Sequence, residues 1–485
     1  MDAGTTGVTA VLYDADLRLL ARAYREFDQS FPRPGWVEHD DRAILAAVDE
    51  VLAEVLGRPE ASDVVAIGVA NQRETVFALD RASGVALRPG IVWQDRRTAE
   101  RCDELRDEDR GPLVRARTGL VIDPYFSATK IEWMLREDAN LRARAEGGEV
   151  VFCTVDTLVV RHLTGGDVCA TDPTNASRTM LFDIERRAWD AELCGLFGVD
   201  PAWLPEVRSS AGDFGVTAVE VAGRAIPIRG VAGDQQAALF GQGCFDVGSF
   251  KTTYGTGCFL LLNTGDRRVD SERGLLTTLA ASRDGSPSVA VEGSVFVGGA
   301  LVQWLRDQMG FFATSPEIEP LARSVEDSGG VIVVPAFVGL GAPYWDAEAR
   351  GAILGLTRGS SRAHVARAAL EAIALQNAEL IEILRAESGL GLEVLLADGG
   401  AAQNDLLMQL QADFAGARVL RPSCVEATAR GVAALAGLGL GLWSDPAAAA
   451  GFEEERTEFA PALSAEERAE RLGSWRAAVG RVLTR

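Results

Sequence analysis

Apolar and polar residues alternate over residues 8–13, turn at 14–17, and alternate again over 19–27. Period-two alternation on both sides of a short polar break predicts a β-hairpin. Between residues 41 and 56 the period lengthens, so that Ile44, Leu45, Val48, Val51, Leu52 and Val55 share one helical face, with Asp40 or Asp41 placed to cap it. The apolar run 64–70 reads as a strand and leads directly into Asn71-Gln72-Arg73-Glu74. A second run, 226–232, ends in Gly233-Asp234 and precedes a helical stretch over 235–240.

The pattern restarts near Phe250 with a strand, a turn at Gly255-Thr256-Gly257 and a second strand over 258–262. Strands at 331–335 and 353–356, a long helix over 364–387, and a strand at 394–397 running into Asp398-Gly399-Gly400 follow. A helix over 426–440 and an alanine-rich segment at 446–450 come next. Strands alternating with helices place the chain in the α/β class, and the early hairpin makes at least one sheet mixed. A length of 485 residues suggests two large domains, with the boundary between Gly241 and Gly248, giving 1–243 and 244–485.

Composition narrows the functions. A net charge of -22 argues against nucleic-acid binding and against an anionic membrane surface, both of which need clustered cations. No apolar run reaches the roughly 18 residues that span a bilayer, and Asp2 stands where a secretory leader would carry positive charge. These features point to the cytoplasm and to no membrane insertion. The 7 cysteines lack a C-x-x-C pair and read as reduced thiols. His39, His162 and His364 lie far apart, so no histidine metal site is visible. Lysine occurs only at Lys130 and Lys251, each beside a candidate motif.

Candidate chemistry lies at glycine turns. In Asp2-x-Gly4-Thr5-Thr6, glycine admits phosphate oxygens to the backbone, hydroxyls and N–H groups donate to them, and the aspartate can hold a hydrated Mg²⁺. Gly255-Thr256-Gly257 offers a second such turn, Gly298-Gly299-Ala300 opens a helix carrying Gln303, and Asp398-Gly399-Gly400 precedes Asn404. No G-x-x-x-x-G-K-[ST] sequence is present, which disfavours a P-loop enzyme. Arg73, Glu74 and Asp234 follow apolar strands, where strand ends feed a ligand crevice. Trp93 and Phe259 read equally well as core or as an apolar wall for a small polyol.

Seven segments occur in a family's order: the first glycine turn, Asn-Gln-Arg-Glu at 71–74, Ile-Val-Trp-Gln at 91–94, and Asp-Pro-Tyr-Phe-Ser-x-Thr-Lys at 123–130; then Gly-Asp-Gln-Gln-Ala-Ala-Leu-Phe-Gly at 233–241, Tyr-Gly-Thr-Gly-Cys-Phe at 254–259 and Gly-Leu-Gly-Ala-Pro-Tyr-Trp-Asp at 339–346. In these the chain resembles the glycerol kinases, and residues 125–137 and 351–371 resemble the two signatures of the wider FGGY carbohydrate-kinase family. The resemblance implies two actin- and hexokinase-like (ribonuclease H-like) domains with mixed sheets flanking a deep catalytic cleft. Residues 1–243 would bind the polyol and carry the first phosphate turn, and 244–485 would bind the nucleotide. The implied reaction is transfer from ATP, with Mg²⁺, to glycerol, giving sn-glycerol 3-phosphate and ADP, in a cytoplasmic homo-oligomer. Carried over by motif, Arg73, Glu74, Tyr125 and Gln235 join Asp234, the catalytic base, around glycerol, where Trp93 and Phe259 can form the apolar wall. Thr5, Thr6, Gly7, Thr256, Gly299, Gln303, Gly400 and Asn404 bind the nucleotide, and Asp2 with Asp234 holds the metal. The alternatives are an FGGY kinase for a longer polyol or ketose, or an impaired nucleotide-binding regulator.

Two features depart from the family pattern. Thr9 stands where the first phosphate turn usually carries a basic residue. Only Met1 precedes Asp2, although the turn needs a leading strand, so a misplaced start and a first sheet with an unpaired edge are expected.

Overall fold

The computed structural model describes residues 1–423, 426–445, 447 and 455–484; the expected alanine-rich segment at 446–450 falls outside them apart from Ala447. The chain forms two compact units. The first comprises Met1–Phe245, Thr277–Ala290 and Ala427–Glu453, and the second Asp246–Leu276, Val291–Glu426 and Glu454–Arg485. Among the described residues no helix is long and apolar enough to cross a membrane.

In the first unit, β1 (Asp2–Ala3), β2 (Gly7–Tyr13) and β3 (Leu19–Glu26) form an antiparallel meander. Next come β4 (Glu38–His39), α1 (Asp41–Leu56), β5 (Ile67–Asn71), β6 (Val76–Asp80), β7 (Gly90–Ile91), α2 (Ser127–Glu137) and β8 (Val150–Thr154). β9 (Ile228–Gly233) and α3 (Asp234–Gly241) close this part of the chain. The main sheet runs β9–β5–β1–β2–β3, and a smaller sheet runs β4–β7–β6–β8. α1 has the expected bounds, with the Asp40 carboxylate accepting from the Arg42 amide as its N-cap.

β1 is not an edge. It lies between β5 and β2, with Asp2 paired parallel to Ala70 and antiparallel to Thr9, because the parallel strand β5 takes up its other side. A cavity of about 430 Å³ is lined by Leu12, Tyr13, Val55, Ile67, Ala433 and Trp443.

Both faces of the main sheet are covered, as a sheet with parallel strands requires. Val8, Ala10, Leu12, Val69 and Val231 pack with Ile44, Val48 and Val51 of α1. On the other face Ala70 and Ala232 meet Ala237 and Phe240 of α3 and Val432 and Leu435 of the helix Ala427–Leu440.

The second unit contains β10 (Phe250–Tyr254), β11 (Cys258–Gly265), α4 (Gly299–Asp307), α5 (Arg362–Ser388), β12 (Val394–Asp398), α6 (Asp405–Ala415), β13 (Arg418–Pro422) and β14 (Arg456–Phe459). Its strands include the order β11–β10–β12–β13–β14, again mixing a hairpin with parallel neighbours. In each unit a hairpin turn thus sits beside the carboxyl end of a parallel strand, the place where open α/β sheets bind ligands.

Candidate functional site

Strand register brings the first unit's polar residues together. Ala3 pairs with Asn71 and Asn71 with Gly233, so the segments after β5 and β9 leave the sheet from adjacent positions. Arg73 and Asp234 meet there. The Arg73 guanidinium is buried: Nη2 donates to the Tyr125 hydroxyl at 3.2 Å, Nη1 to Gln236 Oε1 at 3.2 Å, and Nε lies 3.3 Å from Asp234 Oδ1. A Cβ at Gly233 would stand 2.8 Å from Arg73 Cγ and Cδ, so a glycine at the end of β9 is what lets this side chain lie across it.

Asp234 occupies the N-terminal turn of α3, where the helix dipole favours an anion. Its Oδ1 accepts from the Gln235 amide at 2.7 Å, the Gln235 side-chain amide donates to Oδ2 at 3.2 Å, and a quarter of its side chain remains exposed. It is the accessible carboxylate of the group, whereas Glu74 is buried.

Glu74 Oε1 accepts from Arg178 Nε at 2.6 Å, with Arg73 Nε at 3.9 Å from the same oxygen. Glu74 has a φ of 62°, a left-handed conformation that costs a non-glycine residue roughly 1–3 kcal/mol and tends to occur at functional sites. The Ser127 hydroxyl holds it there, donating to the Glu74 carbonyl at 3.0 Å. The Arg178 guanidinium lies 5.5 Å from the ring centre of Tyr125 and 5.3 Å from that of Phe126, within cation–π range.

Trp93 meets Tyr125 edge-on at 5.7 Å and donates its indole N–H to Thr5 Oγ1 at 2.9 Å. The first glycine turn is therefore tied to the acceptor group. Within this turn the Gly4 amide donates to the Gly7 carbonyl at 3.0 Å, and Thr6 is exposed. The Gln72 side-chain amide donates to the Gly4 carbonyl at 3.0 Å and that of Gln29 to the Thr5 carbonyl at 2.9 Å. The same two amide nitrogens lie 3.2 Å from the two ring nitrogens of His39. Asp2 precedes the turn on β1, with Thr9 opposite it on β2.

Burial pushes the His39 imidazole down to about 4. An unfolded histidine titrates near 6.5, so between pH 6.5 and 4 the unfolded chain takes up a proton that folded His39 refuses. Stability is fully present above pH 6.5 and falls as pH drops through that window, by about 3 kcal/mol at its end. His39→Gln should flatten this part of the stability–pH curve, read from urea unfolding at pH 7 and pH 4.5.

The structure thus brings Arg73, Glu74, Trp93, Tyr125, Asp234 and Gln235 together, with Thr5 joined through Trp93. Phe259 belongs to the second unit, on β11 opposite Thr253. Sequence reasoning missed Arg178 and Gln236. Arg178 follows no apolar strand, so no strand-end pattern marks it, whereas Gln236 was visible inside the Gly233–Gly241 segment.

In the second unit Thr256, Gly299, Gln303, Gly400 and Asn404 line one cavity of about 440 Å³, together with Val302, Pro316, Ile318 and Leu407. Three backbone turns build it. The Gly298 and Gly299 amides donate to the carbonyls of Thr256 and Gly255 at 2.8 Å, docking the β10–β11 turn on the N-terminus of α4. Gly399, with φ 88°, crosses the Tyr254 backbone so closely that a Cβ would sit 2.6 Å from the Tyr254 carbonyl oxygen. Asn404 caps α6, its Oδ1 accepting from the Leu407 amide at 2.9 Å. Apolar walls beside glycine turns that admit a ligand to the backbone suit a flat base.

Comparisons with known proteins agree along the chain. The N-terminal-domain model of the FGGY family of carbohydrate kinases matches residues 1–241, and the C-terminal-domain model matches residues 250–440. The chain is 51% identical over 483 residues to a glycerol kinase of Aromatoleum aromaticum, covering 99% of this chain and 97% of that protein. It is 53% identical over 485 residues to a glycerol kinase of Thermus brockianus, with the same coverage of 99% and 97%. Among solved structures, Plasmodium falciparum glycerol kinase with ADP superposes with a TM-score of 0.89 at 34% identity, covering 100% of this chain and 97% of that one. A gluconate kinase of Lactobacillus acidophilus, at 21% identity and TM-score 0.86 over 99% and 96% of the two chains, shares the fold.

Proposed function

Because this chain belongs to the FGGY family of carbohydrate kinases, we propose that it transfers the γ-phosphoryl group of ATP to a terminal hydroxyl of glycerol, giving sn-glycerol 3-phosphate and ADP. The observation that carries this reading is the buried array of Arg73, Glu74 and Tyr125 ending at the partly exposed Asp234, in a chain half identical to glycerol kinases over nearly its whole length. A triol offers donors and acceptors on one edge and C–H on the other. Arg73 and Tyr125 donate to its hydroxyls, Glu74 accepts, Gln235 steadies Asp234, and Trp93 faces the carbon edge. The first unit then binds the polyol and the second the nucleotide; the expected linear split into 1–243 and 244–485 gives way to one in which Thr277–Ala290 and Ala427–Glu453 return to the first unit. The reaction belongs in the cytoplasm, where ATP is supplied.

Asp234 orients the attacking hydroxyl and takes its proton as the bond to phosphorus forms; phosphoryl transfer asks mainly for such positioning. Thr256, Gly299, Gln303, Gly400 and Asn404 hold the nucleotide, and Thr5, Thr6 and Gly7 present hydroxyls and amides to its terminal phosphate. The carboxylates of Asp2, before the first turn, and Asp234, at a helix start, are hard oxygen donors of the kind Mg²⁺ prefers. Among the described residues no cluster of three or more His, Cys, Asp or Glu side chains forms a metal cage, which suits an ion whose other ligands are water and phosphate. When bound, Mg²⁺ neutralises charge on the phosphate oxygens.

The test is ADP release with glycerol, xylulose, gluconate or no acceptor. Glycerol should give the highest kcat/KM by at least about tenfold, a difference of roughly 1.4 kcal/mol in transition-state binding. A higher value with the ketose or the acid would overturn the assignment. Thr9, in place of a cation beside Asp2, motivates a second reading, a nucleotide-binding protein without turnover. ADP binding without ADP release on any acceptor would favour it.

A further inference from the structure

We propose that Lys130 is a positioning residue of the acceptor pocket, its buried ammonium holding the backbone of Tyr125 and Phe126 so that the Tyr125 hydroxyl stays on Arg73. Lys130 lies one turn into α2, and its side chain runs back to the helix start. Nζ donates to the Tyr125 carbonyl at 2.7 Å and to the Phe126 carbonyl at 3.2 Å. Phe126 is the N-cap residue of α2 and makes no side-chain capping bond, so this ammonium braces the backbone where α2 begins. The opposite side of the same segment is fixed by the Tyr125 amide, which donates to Asp123 Oδ1 at 2.8 Å.

A lysine fully withdrawn from water is an expensive brace. Burial pushes its ammonium down to about 7, while the carboxylates of Asp95, Glu74 and Asp123 pull it back up and Arg96 opposes them. An apolar side chain of similar length would fill the space without the desolvation cost but could not reach two carbonyls with charge-assisted bonds. Tyr125 is where the brace becomes functional. Its hydroxyl accepts from Arg73, its ring meets Trp93 edge-on, and Arg178 covers its face. Displacing the Tyr125 backbone would disturb all three contacts.

The inference rests on the reading that Tyr125 faces the acceptor alcohol. It is tested by a cycle of Lys130→Met, Tyr125→Phe and the double variant, with KM for glycerol and for ATP measured on each. Lys130→Met should raise the glycerol KM by roughly 10- to 100-fold, the range expected when a substrate-positioning group shifts by about 1 Å. The ATP KM should stay within about twofold, since a purely structural lesion would not separate the two substrates. In the Tyr125→Phe background the same substitution should change the glycerol KM by less than about threefold, because coupled residues are not additive. Equal factors in both backgrounds, or a parallel rise in both KM values, would overturn the proposal while leaving the glycerol assignment intact. A native chain that phosphorylates no alcohol would overturn the acceptor-site reading, and this inference with it. If Lys130→Met does not fold, Lys130→Gln, which keeps a neutral donor, carries the cycle.

Discussion

Asp234→Asn should lower kcat with glycerol by two to four orders of magnitude while leaving the KM values for glycerol and ATP within a few-fold. The substitution is nearly isosteric. An asparagine Oδ1 can still accept from the Gln235 amide and lie beside Arg73 Nε, so the start of α3 and the placement of Arg73 should survive. What disappears is the capacity to accept a proton. Positioned general bases contribute typically 10²–10⁴-fold, about 3–5 kcal/mol of barrier. Transfer through a loose transition state, with little proton movement before the phosphorus–oxygen bond forms, would place the loss toward the lower end of that range. Single-turnover ADP formation on the native and variant chains is the direct measurement, with thermal unfolding as a control for folding. A variant within threefold of native kcat would remove Asp234 from the chemistry and leave it only a binding role.

How far this site was legible depends on how local its causes are. The helix over 41–56 and the long helix, expected at 364–387 and found as Arg362–Ser388, carry periodic apolar faces that need no tertiary information. The strand expected at 64–70 begins only at Ile67, since Val65 is half exposed and periodicity alone does not stop a run of valines. Arg73, Glu74 and Asp234 were readable because strand ends announce them. Arg178 was not: it reaches Glu74 across 104 residues of sequence, and its burial follows from stacking on Tyr125 and Phe126. Lys130 stood out only for its rarity, and its contacts supply the physical reason. Nor does any local pattern announce that the helix Ala427–Leu440 covers β5 and β9; that follows from Val432 and Leu435 packing on Ala70 and Ala232. Local periodicity therefore specifies elements, whereas partners far apart in sequence specify the electrostatics of the pocket.

The largest stability effect is expected at one of those distant partnerships. Arg178→Met should destabilise the first unit by about 3–5 kcal/mol, the usual result of leaving one member of a buried ion pair without its partner. Glu74 is buried and pairs with Arg178 at 2.6 Å, whereas Arg73 Nε approaches only to 3.9 Å and also serves Asp234. Methionine keeps much of the side-chain volume against Tyr125 and Phe126, so the loss reports mainly on charge. Adding Glu74→Gln removes the carboxylate that has lost Arg178, and the double variant should regain at least half of the lost stability in urea unfolding. It should not regain activity, because an amide is a weaker acceptor for a glycerol hydroxyl than a carboxylate. A double variant as unstable as Arg178→Met would locate the value of Arg178 in its stacking over the two rings rather than in its charge. Glu74 would then owe its left-handed backbone to Ser127 and the tight crossing from β5 to β6, with Arg178 acting as a rigid floor beneath Tyr125.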